Sequence, residues 1–242
     1  MYIHEFIDII GHHRAEYMYH MTANWGPIGR AERDQLCFGV WGVVGSTGAW
    51  PQVVNLWEYR DWDALGHNFE VELTGAGLQD PSLDAWWAKA AGFRSGGVDR
   101  ILVAAEWSPS VADHAARFDV PPAGYVHELV RCRPGAATEM LENAREVGVP
   151  AHAAAGLTLV GAFRRALADD DECLFIWSFP AWSVWSAFEA AEIAGTGDAA
   201  AWRRDRRDIV TAGERILLAD APLSPLRLGR QPDVTDRGPT HP

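Results

Sequence analysis

Glu5 and Glu128 are carboxylates set among apolar residues, in Tyr2-Ile-His-Glu-Phe6 and Tyr125-Val-His-Glu-Leu129. A carboxyl enclosed by such groups loses solvation, and its pKa climbs toward the range of a general acid or base. Strand alternation places Asn55, Trp57 and Tyr59 on one face of a later segment. Phe175, Trp177 and Phe179 occupy the matching face of its counterpart. A polar group standing where the copy has Phe costs about 1–3 kcal/mol if unpaired. Asn55 and Tyr59 are therefore expected to meet each other, a water or a ligand. This places the working pocket in the first half, with Glu5 as acid or base and Asn55 and Tyr59 orienting a carbonyl or hydroxyl. Trp41, Trp57 and Trp177 form its walls, with Phe175 and Glu128 as further contacts. The alternative is a structural network in which Glu5 or Glu128 pairs with an Arg.

His4 and His127 fall on the opposite face of their strands from the two glutamates. That face is expected to pack against helices, with the imidazole nitrogens satisfying buried backbone. If the register is reversed, His4 takes the catalytic place of Glu5, and His127 faces the substrate. His13, Glu16 and His20 share one helical stripe. His and carboxylate suit zinc or iron, but the apolar stripe Tyr17, Met18 and Met21 lies elsewhere on that helix, so the histidines read as a solvated face. His67 is a weaker candidate. No metal site is assigned. No serine sits in a strand-turn-helix elbow, and Cys37 has no placed partner. Gly75 and Gly77 follow a helix rather than a strand, which fails the dinucleotide-loop context.

The elements that must position these residues come in two copies. Trp57 and Trp62 reappear as Trp177 and Trp182, and Glu72-Leu-Thr-Gly-Ala-Gly77 as Glu192-Ile-Ala-Gly-Thr-Gly197. Asp99-Arg-Ile-Leu-Val103 reappears as Glu214-Arg-Ile-Leu-Leu218. Self-similarity at so long a period sets the architecture. Each copy reads β-α-β-β-α-β, the ferredoxin-like split βαβ unit. The first repeat is assigned to residues 1–107, a Pro-rich linker to 108–123, the second repeat to 124–221 and a Pro-rich, extended or disordered tail to 222–242. In the first repeat, a helix over 12–25 ends at Pro27, Asp61 caps the helix over 61–73, and Ser82 caps a short helix over 82–91. Two such units in one chain can form an intramolecular α+β barrel of the dimeric type.

Bulk properties narrow the function. The net charge of −12 opposes nucleic acid or an anionic membrane as partner. The 12 Trp fill a core or line an apolar pocket. The three cysteines, Cys37, Cys132 and Cys173, have no metal-ligand spacing and suit a reduced, cytoplasmic setting. The N-terminus opens directly on a strand pattern without signal-peptide features, and no stretch has the length of a membrane span.

Val53-Val-Asn-Leu-Trp-Glu-Tyr59 resembles the third-strand signature of the NIPSNAP family. Phe38-Gly-Val-Trp41 looks like its preceding strand, Tyr125 to Gly135 like its opening strand and turn, and Ser82-Leu-Asp-Ala-Trp-Trp87 like its closing helix. The resemblance implies the dimeric α+β barrel superfamily, with the face of Glu5 and Glu128 turned into the barrel; that superfamily is known for small enzymes that need no metal or cofactor, and for some members that handle heme. The expected activity is that of a cofactor-independent enzyme of isomerase, cyclase or lyase type, acting on a small apolar or aromatic substrate. A cofactor-free monooxygenase is the first alternative. A non-catalytic binder of heme or a hydrophobic ligand, with His4, His20 or His127 as axial ligand, is the second. A homodimer is compatible with each.

Overall fold

The computed structural model describes residues 1–115 and 120–238. Residues 116–119 of the expected linker and 239–242 of the expected tail lie outside the described part. The first copy runs β1 (Tyr2–Ile9), α1 (Arg14–Tyr19), a π-helical turn (His20–Trp25), α2 (Gly26–Glu32), β2 (Gln35–Val43), β3 (Gln52–Tyr59), α3 (Trp62–Glu72), α4 (Asp84–Ala91) and β4 (Arg94–Ala104). After α5 (Val111–Ala115), the second copy runs β5 (Gly124–Cys132), α6 (Ala137–Asn143), a second π-helical turn (Ala144–Gly148) and α7 (Val149–Ala154). It continues through β6 (Thr158–Arg165), β7 (Glu172–Phe179), α8 (Trp182–Ala194), α9 (Gly197–Asp205) and β8 (Val210–Asp220), followed by α10 (Pro225–Leu228) and a 3₁₀ turn (Val234–Asp236).

The strands form a closed barrel in the order β1-β3-β2-β8-β5-β7-β6-β4. The fold is α+β, two ferredoxin-like repeats in one chain. Two compact units are present. Unit 1 holds Met1–Gly45, Ala49–Arg100 and Asp220–Pro242, and unit 2 holds Ser46–Gly48 and Ile101–Ala219. No helix among the described residues is long and apolar enough to cross a membrane.

Local chemistry explains several boundaries. Asp61 caps α3 as its spacing predicts, accepting from the Ala64 amide at 2.8 Å. Ser82 does not cap α4, whose N-cap is Leu83 with no side-chain bond; Asp80 instead caps the 3₁₀ turn Pro81–Leu83 that leads into it, its carboxylate accepting both the Ser82 amide (2.9 Å) and its hydroxyl (2.7 Å). Pro27 does not end the first helix. Proline clashes with the carbonyl four residues back, and the π turn before it widens the ladder, so that the Gly26 amide bonds Met21 O instead. Pro150 has an equivalent π turn before it, where the Val149 amide bonds Ala144 O.

The orientation of the sheets differs from the expectation. Asn55 of β3 donates to the Tyr17 hydroxyl of α1 at 2.9 Å, so the face bearing Asn55 meets the helices. Register carries Glu5 onto that face, since Glu5 pairs with Asn55 and Ile3 with Trp57. In unit 2 the His152 ring of α7 lies flat on Trp177 of β7 at 4.0 Å, and Glu128 pairs with Phe175 in register. The glutamate faces therefore lie under the helices, and His4 and His127 occupy the opposite faces.

Candidate functional site

In unit 1 the Glu5 carboxylate is held from one side. Its Oε2 accepts from the Trp57 indole at 2.7 Å and from Asn55 Nδ2 at 2.8 Å. The second N–H of Asn55 goes to Tyr17, and Asn55 Oδ1 has no partner among the described residues. A buried amide that spends both donors and strands its acceptor forgoes about 1–3 kcal/mol. It is arranged to serve the carboxylate rather than itself. Burial pushes the Glu5 pKa up from 4.5 to about 7, with the negative charge of Asp99 adding to it. The Trp57 and Asn55 hydrogen bonds and the charge of Arg94 oppose that rise. Glu5 nevertheless keeps part of its surface exposed, as do Ile3, Trp86, Trp87 and Arg94, while Asp99 is open to solvent. Arg94, at the start of β4, is the cation whose charge reaches Glu5. Arg94 stands over the Trp87 ring, its guanidinium carbon 5.3 Å from the ring centre.

Tyr59 stands apart from this cluster. It is four residues beyond Asn55 on β3, roughly 13 Å along the strand at about 3.3 Å per residue, and only 1% exposed. Its hydroxyl accepts from Gln35 Nε2 at 2.5 Å, and Gln35 Oε1 accepts from the Trp25 indole at 2.7 Å. Trp25, Gln35 and Tyr59 thus form a sealed chain that supports the sheet, rather than the group expected to orient a substrate.

Trp41 is not a wall of the Glu5 site. It pairs with Val54, whose partner on β1 is Phe6, so it shares the face of His4. Trp177 and Phe175 belong to the equivalent cluster of unit 2. There Glu128 accepts from Trp177 Nε1 at 3.2 Å and forms an ion pair with Arg206 at 2.6 Å, both residues being 3% exposed. Burial alone would raise the Glu128 pKa. The Arg206 guanidinium, with help from His152 and Arg215, outweighs it and brings the carboxyl down to about 2. Arg206 also lies over Trp202, 4.0 Å from the ring centre. The structural network expected as the alternative is therefore what Glu128 makes, whereas Glu5 has no arginine hydrogen-bonded to it among the described residues.

The histidine stripe divides. His13 faces Glu16 at 3.7 Å on the surface. His20 is not solvated: it is 2% exposed and stacked on Trp86 at 4.7 Å. His67 lies on the surface beside Glu70, at 3.7 Å. As heme ligands the three candidates do not fit. His4 is 0% and His127 2% exposed within their sheets, and the His20 Nε2 atom is covered.

Tyr17, Arg94, Asp99, His152 and Arg206 join these clusters without being singled out by motif or spacing. Arg206 has a usable signal, since Trp202, Arg206 and Ile209 repeat at helical spacing and all three are buried. Tyr17 belongs to the apolar stripe of its helix, but nothing in the sequence aims its hydroxyl at Asn55.

No family model and no curated protein matches the chain. Solved structures do. A candidate monooxygenase of Fusobacterium nucleatum subsp. nucleatum aligns over 91% of this chain and 91% of its own, at 10% identity and a TM-score of 0.57. The fold is that of the dimeric α+β barrel proteins. An anthrone oxidase-like protein aligns over 90% of both chains at 9% identity and a TM-score of 0.58. A NIPSNAP family protein of Agrobacterium tumefaciens aligns over 40% of this chain and 87% of its own, at 20% identity and a TM-score of 0.34.

Proposed function

We propose that unit 1 carries the active site of a cofactor-independent enzyme in which Glu5 moves a proton on a small apolar or aromatic substrate. The observation that carries this reading is the state of Glu5: desolvated to a pKa of about 7, yet still part-exposed. An acid or base is most effective when its pKa lies near the working pH. Trp57 and Asn55 occupy Oε2, and no hydrogen bond is made to Oε1 among the described residues, so Oε1 takes and returns the proton. Asn55 and Trp57 position the carboxylate, and Tyr17 holds Asn55. Arg94, whose charge reaches Glu5, is suited to an enolate or phenolate that forms when Glu5 takes a proton next to a carbonyl. This is isomerase, cyclase or lyase chemistry carried on one repeat of an α+β barrel.

A cofactor-free monooxygenase is the second reading, favoured by the likeness in fold to a candidate monooxygenase and an anthrone oxidase-like protein. There the carbanion left by Glu5 would react with dioxygen. Substrate trials with enolisable aromatic ketones, run with and without oxygen, separate the two. In either case Glu5→Gln should lower kcat by a factor of about 10² to 10⁴ while leaving the fold intact. Full activity in that variant would sink the assignment.

A further inference from the structure

The tail does not run free. Gln231 bonds both backbone groups of Cys37, its Oε1 accepting from the amide (3.0 Å) and its Nε2 donating to the carbonyl (2.8 Å). Arg237 donates to Ala23 O at 3.0 Å, and the Gly238 amide to the Tyr19 hydroxyl at 3.0 Å. The chain after β8 thereby walls off a groove of about 760 Å³ against α1 and the end of α4. That volume is within the roughly 300–1,000 Å³ of small-molecule sites. Glu5, Asn55 and Trp57 do not line it.

Its lining has one character on the walls and another at the rim. Met18, His20, Phe93 and Leu223 supply the walls. The His20 ring is pinned: Nδ1 meets Asn24 Nδ2 at 3.2 Å, one face lies against Trp86, and Phe93 approaches edge-on at 5.8 Å. Desolvation holds its pKa down at about 4, so at neutral pH it is an uncharged ring. At the rim stands Lys89, the only lysine among 21 basic residues. It has no carboxylate partner among the described residues. Of the two acids in the lining, Asp236 is taken up by Arg230 through two hydrogen bonds of 2.7 and 2.6 Å, and Glu16 faces His13.

We infer that this groove is a second ligand site, for a flat apolar molecule bearing one anionic group, with Lys89 meeting the anion and His20, Phe93, Met18 and Leu223 enclosing the body. It stands independently of the Glu5 reading, because the two share no lining residue.

The test titrates the full chain with anilinonaphthalene sulfonate, a fused aromatic anion, and with phenylnaphthylamine, its uncharged counterpart, following the fluorescence rise. One saturable site is expected for each. Lys89→Gln should weaken the sulfonate roughly five-fold, as fits an exposed ion pair, and leave the neutral probe unchanged. Leu223→Trp, which fills the groove, should weaken both at least about ten-fold, and Met18→Trp serves as the second filling variant, with circular dichroism checking each fold. Glu5→Gln should change neither. Wild-type affinity for both probes in the folded filling variants would overturn the inference. So would loss of binding in Glu5→Gln alone, which would place the probe in the Glu5 site.

Discussion

Glu5 and Glu128 hold the same place in two copies of one strand, and their surroundings push their pKa values in opposite directions. Each accepts an indole N–H from the Trp on the neighbouring strand. The difference is the second partner, an amide for Glu5 and a buried guanidinium for Glu128. Removing that guanidinium should be severe: Arg206→Met leaves a buried carboxylate unpaired, at a cost of about 3–5 kcal/mol. Replacing both partners together, with Glu128→Leu added, should recover most of the loss. Urea unfolding of the three variants checks this, and additive losses would show that the pair is not coupled. In unit 1, Asn55→Leu should lower kcat and move the acid limb of the pH–rate profile upward, because Glu5 loses a hydrogen bond that favours its ionised form. An unmoved profile would reduce Asn55 to packing.

At the scale of the elements, the two copies share a device at the middle of their second strands. β2 bulges between Cys37 and Gly39, and β6 between Leu159 and Gly161. In each, the aromatic two residues on folds back over the glycine. A Cβ at Gly39 would come within 2.1 Å of the Trp41 ring, and one at Gly161 within 2.4 Å of the Phe163 ring. Gly39→Ala should therefore destabilise by about 1–3 kcal/mol through overpacking, with Gly161→Ala similar. Thermal unfolding reads this, and unchanged midpoints would mean that the rings swing clear at no cost. The tail is the other element-scale feature. Gln231→Ala removes both of its bonds to Cys37, and limited proteolysis after β8 should accelerate. Equal cleavage rates would show the remaining contacts to be sufficient.

For the whole molecule, the two glutamates bend the stability curve from opposite sides. Glu5 has a folded pKa of about 7 against an ordinary 4.5, so the folded chain binds the extra proton. Its contribution is full below pH 4.5 and is lost as pH rises toward 7. Glu128 has a folded pKa of about 2, so its contribution is present above pH 4.5 and is lost as pH falls toward 2. Each is on the order of 3 kcal/mol. Urea midpoints measured across pH should fall between 4.5 and 7, and Glu5→Gln should flatten that limb. A limb that persists in the variant would assign it to other groups. The long-period repeat, from Tyr2–Phe6 in Tyr125–Leu129 to Asp99–Val103 in Glu214–Leu218, together with the β-α-β-β-α-β order of each copy, pointed to two ferredoxin-like units. Period-two alternation also showed that Glu5, Asn55 and Trp57 share a face. It could not show which face the helices cover, since both faces of these strands are apolar enough to be buried. Packing decided that, through Tyr17 on Asn55 and His152 on Trp177, and it moved Trp41 to the other side. Nor could the sequence separate Glu5 from Glu128. Whether a buried carboxyl stays protonated near neutrality depends on the charge within a few ångströms, and only the folded chain brings Arg206 to one glutamate and leaves Asn55 with the other.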